Sequence, residues 1–138
     1  MRKLRILIIE NDEDEQYFIR KGFLSTNLFE IIEILFNASV VIKNLKDNVY
    51  GQPDLILSDL NMHGMNGFEL LAALKRDPQL STIPVVITSN ATPPVVVEKC
   101  KQLGAFAHKE KPEDFNRYDV FAESLYRQLI EKTEDAEG

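Results

Sequence analysis

The sequence predicts a doubly wound α/β domain, a five-stranded parallel sheet with helices on both faces. Three observations carry that expectation. Short apolar runs alternate with longer amphipathic ones, the pattern of repeated βα units. The first run, Leu4–Ile9, places apolar residues on both of its faces, as a strand covered on both sides must. No repeat, low-complexity linker or second composition zone interrupts the chain, so residues 1–138 read as one domain with a short solvated tail from about residue 132.

The elements follow in order. After the first strand, Phe18, Ile19 and Phe23 fall at helical spacing, and Asp12 is placed to cap a helix from Glu13 to Leu24. Glu30–Leu35 suits a second strand. Ala38–Leu45 reads as a helix weakened by the β-branched Val40, Val41 and Ile42. Leu55–Ser58 is a third strand, and Gly67–Lys75 a helix closed by Asp77–Pro78. Pro84–Thr88 is a fourth strand. Pro93–Pro94 opens a helix that Gly104 ends. Ala105–Glu110 is a fifth, unusually polar strand. A last helix from Glu113 to about Glu131 aligns Phe121, Leu125 and Leu129 on one face.

Bulk properties narrow the function. Apolar residues make up 44% of the chain, enough for one core. The formal net charge of -6 argues against a nucleic-acid or anionic-membrane surface. No run approaches the roughly 20 apolar residues of a membrane span. The N-terminus lacks the long apolar stretch of a signal peptide, so a soluble cytoplasmic protein is expected. The single cysteine, Cys100, cannot form an internal disulfide and reads as a half-buried apolar residue.

In a doubly wound sheet the ligand crevice lies outside the carboxyl ends of the strands. That rule selects Glu10 and Asn11 after the first strand, Asp59 after the third, Ser89 after the fourth and Lys111 after the fifth. Taken singly, each has an ordinary reading as a cap, a turn residue or a loop charge. Together they form a set suited to a hard divalent cation and a phosphoryl group. Glu10 and Asp59 offer carboxylates, Asn11 a neutral oxygen, and Asn61 a backbone carbonyl for Mg2+. A free oxygen of Asp59 can attack phosphorus, while Lys111 and the Ser89 hydroxyl meet the phosphoryl oxygens. His63 and His108 lack Asp and Ser partners at hydrolase-like spacing, which argues against a hydrolytic triad. Met62 and Met65 read as gap-filling or loop contacts.

The segments "ILIIEN", "PDLILSDLNMHGMNGFELL", "IPVVITSNA" and "GAFAHKEKP" resemble those of a response-regulator receiver domain of two-component signalling. The resemblance covers nearly the whole chain, and the stand-alone receivers are the most similar type. It implies a flavodoxin-like fold with strand order 2-1-3-4-5. It implies that Asp59 accepts a phosphoryl group from a sensor histidine kinase or phosphotransfer protein. Glu10, Asn11, Asp59 and the Asn61 carbonyl would hold Mg2+, Ser89 and Lys111 would contact the phosphoryl group, and Ser89 with His108 would form the switch. Output would be contact with a downstream protein. The family often dimerises through its last strands and helices, so a homodimer is one expected assembly. The domain is not expected to be an enzyme beyond its own phosphorylation and dephosphorylation.

Three features depart from the family pattern, one of them the fifth strand "AFAHKEK", more polar than the usual apolar run. Asn11 stands where an acid is usual, so weaker Mg2+ binding is expected. His63 stands where proline is usual. The departure at Asn11 motivates an alternative: a pseudo-receiver, an interaction module that works unphosphorylated. A phosphatase of the haloacid dehalogenase type fits poorly, because Asn61 replaces the acid two residues after its nucleophile. A flavin binder also fits poorly, because "ENDEDE" would repel a phosphate.

Overall fold

The computed structural model describes residues 2–62 and 64–137, residues 133–137 by their backbone alone. Five parallel strands form one sheet: β1 Leu4–Ile9, β2 Phe29–Leu35, β3 Leu55–Asp59, β4 Val85–Ser89 and β5 Ala107–Glu110. Their order is β2-β1-β3-β4-β5, as expected. The helices are α1 Glu13–Thr26, α2 Val41–Lys46, α3 Gly67–Arg76, α4 Pro94–Gln102 and α5 Tyr118–Glu137.

Alternation along the strands divides the core. Ile6 and Ile8 of β1, Leu55 and Leu57 of β3, and Val86 of β4 pack with Ile19 and Phe23 of α1 and Phe121 and Leu125 of α5. Leu7, Ile9, Ile56, Val85 and Ile87 pack on the other face with α2, α3 and α4. Each such fully buried side chain contributes roughly 1.5–3 kcal/mol. Helices therefore cover both faces. Met62 and Met65 pack against the second cluster, and Cys100 is buried in it.

Most boundaries shift by a residue from the sequence reading, and the five larger shifts have local reasons. Helix α1 runs to Thr26 because Ser25 and Thr26 donate to the carbonyls of Gly22 and Phe23, and Asn27 closes the helix in the left-handed region. Helix α2 starts at Val41, without a side-chain cap, because Asn37 ties Ser39 into a turn. Strand β5 starts at Ala107, since the Ala105 N–H closes α4 on the Cys100 carbonyl. A 3-10 turn over Phe115–Arg117, capped by Asp114, precedes α5. That last helix continues to Glu137 rather than ending at about Glu131. The segment "EKTEDAE" contains no Gly or Pro to stop it.

Two helix ends expected from the sequence, at Asp12 and Gly104, are met. Asp12 accepts from the Glu15 N–H as the N-cap of α1. Asn66 and Glu69 form a reciprocal capping box on α3. Gly104 follows α4 at φ +90°. Among the described residues no helix is long and apolar enough to cross a membrane.

Candidate phosphoryl-transfer site

The strand alternation that builds the core also aims the site. Glu10 continues the parity of Ile6 and Ile8, and Asp59 that of Leu55 and Leu57, so both tip toward the α1 and α5 side. Ser89 has the parity of Val85 and Ile87 and tips toward α3 and α4. His108 is paired with Ile87 and shares that second side. The carboxyl ends of the strands thus present two adjacent groups of polar side chains.

The first group is an ion cluster. Lys111 Nζ lies 2.8 Å from Glu15 Oε2, 3.0 Å from Glu10 Oε1 and 3.3 Å from Asp59 Oδ2. All four residues are buried, none more than 7% exposed. Tyr118 OH donates to Glu15 Oε2 at 2.8 Å. The second oxygens of Glu10 and Asp59 are also engaged: the Asp12 N–H donates to Glu10 Oε2, and the Asn61 N–H to Asp59 Oδ1. Gln16 donates to the Glu10 carbonyl. Three carboxylates and one ammonium crowd a buried site, and the charges respond. Burial, then Glu15 and Asp59, push Glu10 up to about 7 against the pull of Lys111. Burial raises Asp59, opposed by Lys111 and the Asn61 N–H. Burial works to lower Lys111, but the three carboxylates outweigh it and hold the lysine above its ordinary range. Burial and Glu15 raise the Tyr118 hydroxyl.

The second group is Ser89 and His108. Ser89 Oγ donates to the Ala91 carbonyl and lies 2.8 Å from His108 Nε2. Burial lowers the His108 ring, partly offset by Glu110. Ser89 and His108 meet each other as a pair, while the serine hydroxyl is turned to Ala91 rather than to Asp59.

The loop after Asp59 is set by Gly67. A Cβ there would lie 2.9 Å from the Asp59 carbonyl and from Leu60 Cα, so only glycine lets α3 start against the end of β3. The Gly67 N–H donates to the Leu60 carbonyl and closes the loop. His63 lies outside the described residues. Asn11 is half-buried and lines an open cleft of about 460 Å3 with Phe36, Asn37, Ser39, Gly64 and Met65. Asp12, the acid next to Asn11, uses its Oδ1 as the N-cap of α1.

Glu15 and Tyr118 were not singled out from the sequence. Glu15 was legible: it lies four residues before Ile19 and eight before Phe23, on the buried stripe of α1. An acid on such a stripe needs a buried cation or donor. Tyr118 carried no comparable local pattern.

Among the described residues no three His, Cys, Asp or Glu side chains converge as a metal-holding group. The donors near Asp59 are nonetheless of the right kind for Mg2+. Glu10 and Asp59 bring hard carboxylate oxygens to one strand edge, and Asn11 and Asn61 flank them.

A βα sheet of this order with Asp, Glu and Lys gathered at its carboxyl edge is the architecture of a signalling receiver. The chain belongs to the response regulator receiver domain family, whose model matches residues 6–120. It is similar to two-component response regulator ORR8 of Oryza sativa subsp. indica, 26% identical over 113 residues, 81% of this chain and 89% of that protein. It is 42% identical to two-component response regulator ARR17 of Arabidopsis thaliana over 59 residues, 43% of this chain and 39% of that protein. The chain thus spans well under half of ARR17, as it does of ARR16 at 35%. The phosphorylated cyanobacterial phytochrome response regulator RcpA shares the fold, with a TM-score of 0.80 at 22% identity over 94% of this chain and 95% of that one. The Mn2+-bound response regulator Rcp1 shares it at a TM-score of 0.76 and 23% identity over 88% and 91% of the two chains. Receiver domains are signalling domains rather than ordinary enzymes. They generally bind Mg2+ and interact with histidine kinases or phosphotransfer proteins.

Proposed function

We propose that Asp59 accepts a phosphoryl group from a phosphohistidine of a sensor kinase or phosphotransfer protein. The observation that carries this reading is the buried Lys111 ammonium, 3.3 Å from Asp59 and 3.0 Å from Glu10 at one strand edge. An Asp59 carboxylate oxygen attacks phosphorus, the bond from phosphorus to the donor nitrogen breaks, and its electron pair leaves with the imidazole. Lys111 meets the growing charge on the phosphoryl oxygens. Glu10, Asp59, Asn11 and the Asn61 carbonyl would hold Mg2+, which supplies further positive charge to those oxygens. Ser89 then turns from Ala91 toward the phosphoryl group, and His108, hydrogen-bonded to it, moves with it. The polar β5 face carries the change to a downstream protein, with a homodimer as one assembly. Residues 1–138 act as one receiver domain in the cytoplasm.

The test is intact mass after incubation with a small phosphodonor and Mg2+. The wild-type protein gains one phosphoryl group and Asp59→Ala gains none. No gain at any Mg2+ concentration overturns the reading.

A specific observation favours a second reading, a pseudo-receiver that works unphosphorylated. Asn11 lacks the acid usual at its position, and Asp12 beside it uses its Oδ1 as a cap. Asn11→Asp separates the two. On the first reading it strengthens Mg2+ binding and leaves phosphorylation Asp59-dependent. On the second, partner binding ignores both Asn11→Asp and Asp59→Ala.

A further inference from the structure

Glu15 has no task in the reading above, yet it makes the shortest contact in the cluster. A single oxygen, Oε2, takes both the Lys111 ammonium and the Tyr118 hydroxyl, each at 2.8 Å. Both partners are buried: Lys111 is 7% exposed and Tyr118 1%. Tyr118 is itself fixed. Its ring packs tilted against Phe115 and edge-on against Phe121, and α1 can approach it only because residue 22 is glycine.

Resting on the assignment of Asp59 as phosphoacceptor, we propose that Glu15 is a positioning residue for Lys111. Tethered by Tyr118, it draws the lysine ammonium to its own side and keeps Asp59 Oδ2 at the longest of the ammonium's three contacts, which loosens the lysine's hold on the attacking carboxylate. The order of distances states the case: 2.8 Å to Glu15, 3.0 Å to Glu10 and 3.3 Å to Asp59. A lysine is a compact charge on a flexible four-carbon stem and does not hold a position unaided. Without Glu15 the ammonium has two acids left. Moving onto Asp59, it pairs with the attacking oxygen and blunts it. Moving onto Glu10, it retreats from the place where phosphoryl charge develops. Both movements slow transfer. A merely structural Glu15, pinning α1 to α5, would affect folding and leave Lys111 where it is.

Two variants test this. Glu15→Gln keeps the volume and an acceptor for Tyr118 but loses the charge; Tyr118→Phe keeps the charge but frees it. The first readout is the side-chain ammonium 1H–15N resonance of Lys111. The second is the time course of phosphoryl uptake from a small phosphodonor. In the wild type the ammonium protons exchange slowly and give a resolved signal. In Glu15→Gln that signal shifts or disappears while the fold persists, and uptake slows by about tenfold to a hundredfold, the cost of a displaced catalytic group. Tyr118→Phe shifts the signal and slows uptake by less. An undetectable wild-type signal, an unchanged signal in Glu15→Gln, or uptake at the wild-type rate overturns the proposal. Should Glu15→Gln not fold, Tyr118→Phe decides by the same two readouts. Should the wild type take up no phosphoryl group, the assignment of Asp59 fails, and the ammonium signal alone decides whether Glu15 positions Lys111.

Discussion

His108 Nε2 lies 2.8 Å from Ser89 Oγ, and the serine's one proton is directed to the Ala91 carbonyl. The histidine must therefore be the donor. Both the neutral ring protonated at Nε2 and the imidazolium satisfy that demand, so the contact survives acidification. Ring 15N spectra should show the Nε2–H tautomer for His108 at neutral pH. The Nδ1–H tautomer would mean that Ser89 donates to the ring and has left Ala91.

Glu10 gives the cluster a pH dependence with a definite sign. Its carboxyl is pushed from an ordinary 4.5 up to about 7 by burial and by Glu15 and Asp59. A raised carboxyl binds its proton more tightly in the folded than in the unfolded chain. Its contribution to stability is complete below pH 4.5 and is lost as pH rises through about 7. In metal-free buffer the Tm of the wild type should fall across that window relative to Glu10→Gln. A constant difference between the two proteins would contradict this.

Helices α1 and α5 meet at Gly22. A Cβ on residue 22 would stand 2.6 Å from Tyr118 Cβ and 2.7 Å from the Asp119 backbone nitrogen. Backbone cannot step aside as a side-chain tip can. Gly22→Ala should lower stability by about 1–3 kcal/mol, read as a lower urea midpoint at unchanged slope. An unchanged midpoint would show that the helices stand further apart.

Thr88 is paired across the sheet with Asp59, and its Oγ1 is buried with no hydrogen-bond partner among the described residues. An unmet buried hydroxyl costs about 1–3 kcal/mol. Thr88→Val should therefore raise stability by about 1 kcal/mol in chemical denaturation. A loss of that size would mean that a bound water or ligand group satisfies the hydroxyl.

The sheet was legible because its signal is local and strong. Leu4–Ile9 is bounded by charge on both sides and emerges as β1 without adjustment. Strand ends were legible for the same reason, and the topology then brought Glu10, Asp59 and Lys111 together. Element ends were less legible where side chains bond to nearby backbone, as at Ser25, Asn37 and Asp114. The facing of Ser89 toward Ala91 and His108 depends on a rotamer and a carbonyl two residues on, which spacing does not encode. Tyr118 reaches Glu15 across 103 residues, through a 3-10 turn that no periodicity announces. Glu15 itself was available to a stricter reading, because an acid among Ile19 and Phe23 is out of place unless something buried meets it.

Chemical trapping at residue level checks the claim that Asp59 carries the phosphoryl group. The protein is treated with a small phosphodonor and Mg2+, then reduced with borohydride, which converts an aspartyl phosphate to homoserine. Peptide mass spectrometry should find homoserine at position 59, dependent on the phosphodonor. Homoserine at another acid, or at none while the intact mass shows phosphoryl uptake, would contradict the claim.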